Sequence, residues 1–466
     1  MKILIPDYVN NIIERLIKNG FKSYLVGGSV RDSLLNKQPS DYDITSSATP
    51  KEIIELFSEF KTVEVGKEFG TIIVIQDEGE VEITTFRRDN IYEDGRRPSS
   101  VVFTEDLIQD LERRDFTINS MAYNEMEGLI DPFNGLKDLK KNLIRTVGNP
   151  IERFSEDYLR ILRAVRFACQ LDFLIDIETS KACSELSANL ASVSIDRIRE
   201  ELFKILLSDK PSRGFLLMRE MGLLKQVIPE LMPAIGFDQR NPHHDRSVFQ
   251  HTLRVLDNTP KVLNVRLAAL LHDIGKPYTF SIDNRGVGHF YGHDKASVEI
   301  GREILLRLNC SSKLIETTLN LIKEHMIHHP DLKRKGLKRQ IQRIGEDQIE
   351  NLIDLQIADR LSKRGTKDTS YLEAKRREVR SILQAKEPFS RKHLLINGED
   401  LIELGYKQGK IIGEILDCLL NCVIDDPSLN TKKELKEIVK KNYPLIWDKS
   451  KKKEEKQWAN YLGPMA

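Results

Sequence analysis

The chain has 466 residues, 40% of them apolar and 31% charged, which is enough for three or four domains or a series of helical modules with buried cores. Its 72 basic and 71 acidic residues leave a net charge of +1, which excludes a global attraction to polyanions and assigns any RNA contact to local patches. There is no signal peptide, no 18-residue apolar run and no lipidation motif, so a cytoplasmic protein without membrane contact is expected.

From the amino terminus, Asp7–Asn19 has the apolar spacing of an amphipathic helix, stopped at Gly20. Residues 24–45 then read as an apolar strand, the pair Gly27-Gly28, a helix opening at Ser29-Val30-Arg31-Asp32, and Asp41-x-Asp43 inside a second short strand. Thr49-Pro50-Lys51-Glu52 is a capping box with Pro at the first helical position, predicting a helix to about Phe57. Strands are expected at Thr62–Val65, Thr71–Gln76 and Val81–Phe86, the last two joined by a turn at Asp77-Glu78-Gly79. From about Pro150 the pattern is almost purely helical, with no convincing strand and a domain junction at Met232–His243. The expected fold is α+β, a small α/β head on a long, predominantly α-helical body. Five cysteines (Cys169, Cys183, Cys310, Cys418, Cys422) form no CxxC pair and read as buried or free thiols of a reducing compartment.

The head carries the clearest chemistry. Paired glycines let a backbone approach a phosphate closely, and the helix behind them aims N–H groups at it. On a strand, carboxylates two residues apart face one side, as Asp41 and Asp43 would, and can hold a pair of Mg²⁺ ions for in-line nucleotidyl transfer. Glu82 stands equally as a third carboxylate of that site or as an outward-facing strand residue. In Arg113-Arg114-Asp115-Phe116-Thr117-Ile118-Asn119, guanidinium forks suit phosphates and a carboxylate suits ribose hydroxyls; a structural ion-pair cluster is the plainer alternative. Glu156–Phe167 reads as one helix, with Asp157, Arg160 and Arg163 on a shared face. An intrahelical salt bridge is the ordinary reading. The sharper one is a protein template: the carboxylate accepts and the guanidinium donates, which matches the amino group and ring nitrogen of cytosine or adenine and mispairs guanine and uracil.

These residues match a family. GGSVRD (Gly27–Asp32), DYD (Asp41–Asp43), VGKEFGT (Val65–Thr71), TTFRRDNIYEDGRRPSSVVF (Thr84–Phe103), RRDFTINSMAYN (Arg113–Asn124), DPFNGLKDL (Asp131–Leu139), EDYLRILRAVRF (Glu156–Phe167) and DRIREEL (Asp196–Leu202) follow in its order. The chain resembles the class II tRNA nucleotidyltransferases, which comprise the CCA-adding enzymes and bacterial poly(A) polymerases with a polymerase-β-like head. The resemblance implies Mg²⁺ on Asp41 and Asp43, phosphate and ribose contacts from Arg113, Arg114 and Asp115, and base selection by Asp157 and Arg160. The nucleotide site is expected to comprise also Gly27, Gly28, Arg31, Arg87, Asn119, Arg163 and Arg166. The polar segment Arg87–Phe103 corresponds to a loop that helps the family's pocket switch from C to A. It is intact, with Asp94, Arg96 and Arg97, which argues against a CC-only enzyme and leaves an A-adding one open.

Nine of the ten histidines fall between His243 and His329. Imidazoles and carboxylates on helices can activate water against a phosphoester through a metal. The order His251, His272-Asp273, Asp359 resembles the HD-superfamily phosphohydrolases. Those four residues are assigned to a primary metal, with His293 and His325 available to a second and Ni²⁺, Co²⁺ or Mn²⁺ as the expected ion. A relic domain kept for packing is the alternative. Lys333–Arg343 carries six basic residues and no acidic one, and residues 360–380 hold eight basic against three acidic. Such runs are usually solvated faces; with a tRNA substrate, some should follow its phosphates. Ile396–Asp426 resembles the family's helical tail, with Gly405, Gly409 and Gly413 permitting close approach, and the last 15 or so residues are expected to be disordered apart from a foothold at Trp458 and Tyr461. The expected division is a head over 1–145, a helical neck over 146–235, an HD domain over 236–370 and a tail over 371–466. The expected activity is addition of C, C and A to tRNA from CTP and ATP, by a monomer or homodimer. The alternatives are A addition or poly(A) synthesis and, in another class, an HD phosphohydrolase with a nucleotide-binding head.

Overall fold

The computed structural model describes residues 3–65, 70–89, 101–240, 247–327, 333–365 and 367–444. Asp94, Arg96, Arg97, His243, the centre of VGKEFGT, Lys449–Lys456, Trp458 and Tyr461 lie outside the described residues. Two compact units divide the chain: Met1–Lys323 with Leu361–Lys367, and Glu324–Arg360 with Asp368–Ala466.

The first unit begins with α1 (Asp7–Lys18), β1 (Ser23–Val26), α2 (Gly28–Leu34), β2 (Asp43–Ser46), α3 (Pro50–Leu56), β3 (Lys61–Glu64), β4 (Thr71–Ile75) and β5 (Glu80–Thr85). It continues with β6 (Arg87–Asp89), β7 (Val101–Phe103), α4 (Leu107–Glu112), β8 (Ala122–Asn124), β9 (Gly128–Ile130) and α5 (Gly135–Lys140). The expected capping box opens α3: Thr49 Oγ1 accepts from Glu52 N–H, and Glu52 Oε2 accepts from Thr49 N–H at 2.8 Å. Seven strands form one sheet in the order β3-β4-β5-β2-β1-β8-β9, in which only β2 and β5 run parallel. The alternating burial of β5, with Val81, Ile83 and Thr85 inward and Glu80 and Glu82 outward, is what a one-sided core imposes on a period-2 chain. On the opposite side Tyr24, Val26, Phe86, Leu107, Leu111 and Ala122 form one apolar cluster.

The DPFNG turn locks the next segment. Asp131 accepts from Gly135 N–H at 2.6 Å and Leu136 N–H at 2.9 Å, and a Cβ on Gly135 would lie 2.2 Å from Thr117 O. Only glycine fits there, so the Asp115–Asn119 segment packs directly on the start of α5.

Beyond it come α6 (Pro150–Glu156), α7 (Leu159–Leu171), α8 (Ile177–Glu185) and α9 (Ile195–Leu206), with α7 packed along α9. Two features depart from the sequence reading. Leu143–Ile144 and Leu174–Ile175 pair as a short parallel ladder, and Ser281–Ile282 and Gly288–His289 form a hairpin, so the body contains strand. These two-residue segments are too short to leave a period-2 signature. Glu156–Phe167 is not one helix: α6 ends at Glu156, Asp157 is extended (φ −151°, ψ 103°), and α7 starts at Leu159. Asp157 acts there as a cap, its Oδ1 accepting from Leu159 N–H at 3.1 Å, which competes with helical continuation.

In the second unit, helices Lys410–Asp425 and Lys432–Asn442 enclose a core of Leu401, Ile415, Leu419, Val423, Leu435 and Val439. The basic run lies on helix Arg334–Ile344. It is largely neutralised within the unit: Arg334 pairs with Glu378 and Glu387, Lys338 with Glu387 at 2.8 Å, Lys335 and Arg339 with Asp425, and Arg343 with Glu324 at 2.6 Å.

Candidate functional site

The sheet brings acids together that are far apart in sequence. Asp43, the first residue of β2, is paired with Val26 at the end of β1 on one side and with Glu82 of β5 on the other. Asp41 is not in the strand, as the DxD spacing suggested, but in an exposed bend before it. Within that bend Ser40 Oγ donates to Asp41 Oδ1 at 2.9 Å, and the ladder begins only at Asp43. Desolvation, then repulsion from Glu82 and Asp41, pushes the Asp43 carboxyl up to about 6 against a smaller pull from Arg114. The Glu82 carboxyl is raised by desolvation and by Asp41, against a smaller pull from Arg87. Carboxylates that oppose one another's ionisation form a donor set that divalent cations satisfy. Glu82, left undecided by the sequence, stands opposite Asp43 through a parallel pairing across 39 residues, and it is not among the residues lining the cavity described below.

Gly27 follows Val26 directly and sits at φ 73°, ψ −133°, where a side chain is strained. A Cβ there would lie 3.1 Å from Arg114 Nη1 and 3.8 Å from Asp43 Oδ2. The glycine therefore leaves open the space between the acid and the guanidinium. Behind it, Asp110 is fully buried and anchors both arginines: Arg113 reaches its Oδ1 through Nε at 3.0 Å and Nη2 at 2.8 Å, and Arg114 Nη2 lies 3.5 Å from Oδ2. Burial alone would raise the Asp110 carboxyl, but Arg113 and Arg114 hold it below its ordinary value.

Asp115 is fully engaged. Its Oδ1 accepts from Phe116 N–H at 2.8 Å and Asn119 Nδ2 at 3.0 Å, and its Oδ2 takes Arg163 Nε at 2.8 Å and Nη2 at 2.5 Å. These partners outweigh burial and keep it ionised well below the carboxylate range. In this arrangement Asp115 braces Arg163 and Asn119. Arg31 forks onto Asp32 and donates from Nη1 to Asn119 Oδ1 at 2.7 Å. The guanidinium carbons of Arg31, Arg163 and Arg166 lie 5.1, 5.5 and 4.0 Å from the Phe167 ring centre, and burial lowers Arg166 to about 10 although Glu201 sits 2.8 Å away.

Asp157 and Arg160 do not form the intrahelical bridge considered from their spacing, because the break between α6 and α7 turns them toward other partners. Arg160 Nη1 donates to Arg153 O at 2.9 Å and to Glu156 Oε2, and Nη2 donates to Arg113 O at 2.9 Å. Asp157 takes a two-pronged contact from Arg197 of α9, Nη1 to Oδ1 at 3.1 Å and Nη2 to Oδ2 at 2.6 Å. One cavity of about 920 Å³ joins these groups, lined by Gly27, Gly28, Asp41, Asp43, Arg31, Arg113, Arg114, Asp115, Asn119, Asp157, Arg160, Arg163 and Arg166. Arg87, in β6, is not among its lining residues. Lys37, Arg197, Lys204 and Lys261 line it and were not singled out from the sequence. Arg197 stood inside the DRIREEL motif, where nothing local marks its partner.

A second cluster lies further along the first unit. His251 and His272 approach Asp273 Oδ2 through Nε2 at 3.5 and 3.2 Å, His293 Nε2 approaches Oδ1 at 3.5 Å, and all four side chains are buried. Ligand atoms of His251, His272 and Asp273 lie within 4.8 Å of one another. His272 Nδ1 and His293 Nδ1 each lie within 2.9 Å of a main-chain carbonyl, Ala269 O and Phe290 O. These contacts leave Nε2 of both rings facing the Asp273 carboxylate, a donor set that a divalent cation can join. Lys276 Nζ, 2.7 Å from Asp273 Oδ2 and 3.1 Å from Gln239 Oε1, supplies one positive charge. Asp273 is held well below its ordinary value against burial, by His272 and then Lys276. His325 and Asp359 are buried residues of the second unit. No helix among the described residues is long and apolar enough to cross a membrane.

Comparison with known proteins shows the family and the fold. Residues 23–145 match the family described as poly A polymerase head domain, 172–235 the probable RNA and SrmB-binding site of polymerase A, and 248–364 the HD domain. The chain is 34% identical over 447 residues to a CCA-adding enzyme of Ligilactobacillus salivarius, covering 94% of this chain and 97% of the relative. It is 32% identical over 425 residues to one of Streptococcus thermophilus, covering 91% and 94%. The crystal structure of the Bacillus stearothermophilus CCA-adding enzyme in complex with CTP aligns at a TM-score of 0.71 and 26% identity, covering 94% of this chain and 98% of that one.

Proposed function

The chain belongs to the CCA-adding enzyme family, and from that premise we propose that it adds C, C and A to the 3′ end of tRNA from CTP and ATP without a nucleic-acid template. The RNA hydroxyl bonds to the α-phosphorus as the bond to pyrophosphate breaks. The observation that carries this reading is the single cavity joining Asp41 and Asp43 to Asp157 and Arg160.

Asp41, Asp43 and Glu82 would hold divalent metal, Mg²⁺ in our reading, and when bound it would lower the pKa of the attacking hydroxyl and screen the triphosphate. Gly27 leaves room for a phosphate beside Arg114, and Asp110 fixes the angle at which Arg113 and Arg114 present their charge. Asp115 holds Arg163 and Asn119 in place, so its part is to orient donors.

Base choice follows from a count of hydrogen-bonding positions. A guanidinium has five N–H groups. Among the described residues Arg160 spends three on Arg153 O, Glu156 and Arg113 O, which leaves its Nε–H and one Nη2–H for a ring-nitrogen acceptor. Asp157 accepts an exocyclic amino group. Cytosine and adenine supply that donor–acceptor pair; uracil and guanine reverse it and are left mispaired. The test uses a tRNA lacking CCA, with CTP alone, ATP alone and both. Product lengths separate CC, A and CCA addition, and no extension under any condition overturns the proposal.

A second reading is supported by the cluster at Asp273: a metal-dependent phosphohydrolase acting on phosphoesters such as 2′,3′-cyclic phosphate or 2′-phosphate, with Ni²⁺, Co²⁺ or Mn²⁺. The head over 1–145, neck over 146–235, HD domain over 236–370 and tail over 371–466 remain our division, with basic residues of the body following tRNA phosphates. Activity of purified protein on a cyclic phosphate, lost with His272→Ala and retained with Asp41→Ala, is the expected outcome.

A further inference from the structure

We propose that Arg197 is the positioning residue that turns Asp157 into a reader of a single amino group, an inference that rests on the base-selecting role given to Asp157 above. An ionised carboxylate offers about four acceptor positions, two on each oxygen. At Asp157, Oδ1 receives Leu159 N–H at 3.1 Å and Arg197 Nη1 at 3.1 Å, and Oδ2 receives Arg197 Nη2 at 2.6 Å. Among the described residues, three positions are filled and one remains, on Oδ2. The group so prepared has one lone-pair direction to offer, toward one donor.

Geometry fixes the carboxylate as well as saturating it. Asp157 lies between two helices in extended backbone, where no helical ladder holds its side chain. The two-pronged contact from Arg197 sets the plane of the carboxylate, which a single-point contact from lysine would leave free to rotate. Arg197 stands on α9, and one turn later the same helix presents Glu201, 2.8 Å from Arg166 Nε. The side chains of α9 thus hold two cavity-lining groups, Asp157 and Arg166, with Arg197 itself at the cavity wall, while α9 is fixed by Ile198, Leu202 and Ile205 in the core. The template that chooses a base is therefore set by α9 as well as by the helix that carries Arg160.

The test measures kcat and KM for single-nucleotide addition to tRNA lacking its terminal CCA, with CTP and with UTP, for the native protein, Arg197→Met and Arg197→Lys. The expected result is a higher KM for CTP and a CTP/UTP discrimination reduced about 10-fold in Arg197→Met, with the larger part of the loss in KM. Arg197→Lys keeps the charge and should fall between the two in discrimination. Discrimination equal to native in both variants, or a loss confined to kcat, overturns the proposal. Should Arg197→Met fail to fold, Arg197→Lys decides alone: native-like discrimination in a folded lysine variant rejects positioning by the fork. Failure of the underlying reading would show differently, as a native protein that extends the tRNA with neither CTP nor ATP.

Discussion

Asp43 and Glu82 occupy directly paired positions on β2 and β5, the only parallel neighbours in the seven-stranded sheet. Paired residues on adjacent strands face the same side, so their charges repel unless a cation intervenes. Replacing Glu82 by Gln keeps the shape and removes one of the opposing charges. We expect kcat/KM for CTP addition to fall about 10–100-fold, the scale of losing a metal-supporting group, and half-maximal activity to need more Mg²⁺. Thermal stability should hold or rise, because a repulsion has been removed. Pyrophosphate release measured across a Mg²⁺ series checks this; an unchanged Mg²⁺ dependence would return Glu82 to the role of a surface strand residue.

Gly27→Ala separates conformational from chemical demands at the glycine turn. At φ 73°, ψ −133° an alanine costs about 1–3 kcal/mol of backbone strain, and its methyl lies 3.1 Å from Arg114 Nη1. The predicted outcome is a modest stability loss in a denaturant titration with a disproportionate rise in KM for CTP, because the displaced guanidinium is one we assign to phosphate. Gly28→Ala, with φ outside the left-handed region and 3.5 Å between its would-be Cβ and Arg31 Nη2, should be milder on stability.

What was legible in the sequence was the part carried by short-range pattern. GGSVRD places the turn, Asp43 the acid, and Thr49–Glu52 the cap, because each is set by neighbours a few residues away. The histidine block was legible as composition, and the structure gathers His251, His272 and His293 around the Asp273 carboxylate. What escaped depended on long-range pairing. Glu82 meets Asp43 only through the β2–β5 register, and Arg197 meets Asp157 across 40 residues. The break at Asp157 was hidden because Glu156–Phe167 has unbroken helical periodicity, and a capping carboxylate overrides it locally. The run Lys333–Arg343 read as a solvated face with some residues following tRNA phosphates, yet its partners Glu378, Glu387 and Asp425 lie 44 to 90 residues downstream. Charge counting within a window cannot see them.

The cluster at Asp273 predicts metal binding that is separable from nucleotide addition. Titration of the native protein with Mn²⁺, Co²⁺ or Ni²⁺ followed by calorimetry should show a site that His272→Ala weakens by at least about 10–100-fold. Lys276→Met should strengthen it or leave it unchanged, since that ammonium competes for Asp273 Oδ2 at 2.7 Å. Asp41→Asn should leave this site intact. Equal binding by native and His272→Ala protein would mean that the buried imidazoles pack and do not ligate.

Lys375 gives the clearest pH dependence of stability. It is buried in the second unit, donating to Gln356 Oε1 at 2.8 Å and Ile327 O at 3.4 Å, and desolvation lowers it to about 8 against a smaller opposing pull from Glu324. An unfolded chain keeps this proton to about 10.4. Between those values the unfolded state binds more protons than the folded one, so stability rises with pH across the window, by up to about 3 kcal/mol. Below pH 8 both states are protonated and the contribution is flat at its lowest. Lys375→Met removes the titration but leaves two acceptors without their donor, which costs about 1–3 kcal/mol at any pH. The informative quantity is therefore the slope. Guanidinium midpoints measured from pH 7.5 to 10 should climb more steeply in the native protein than in Lys375→Met, and parallel slopes would show that the ammonium is hydrated in the folded state.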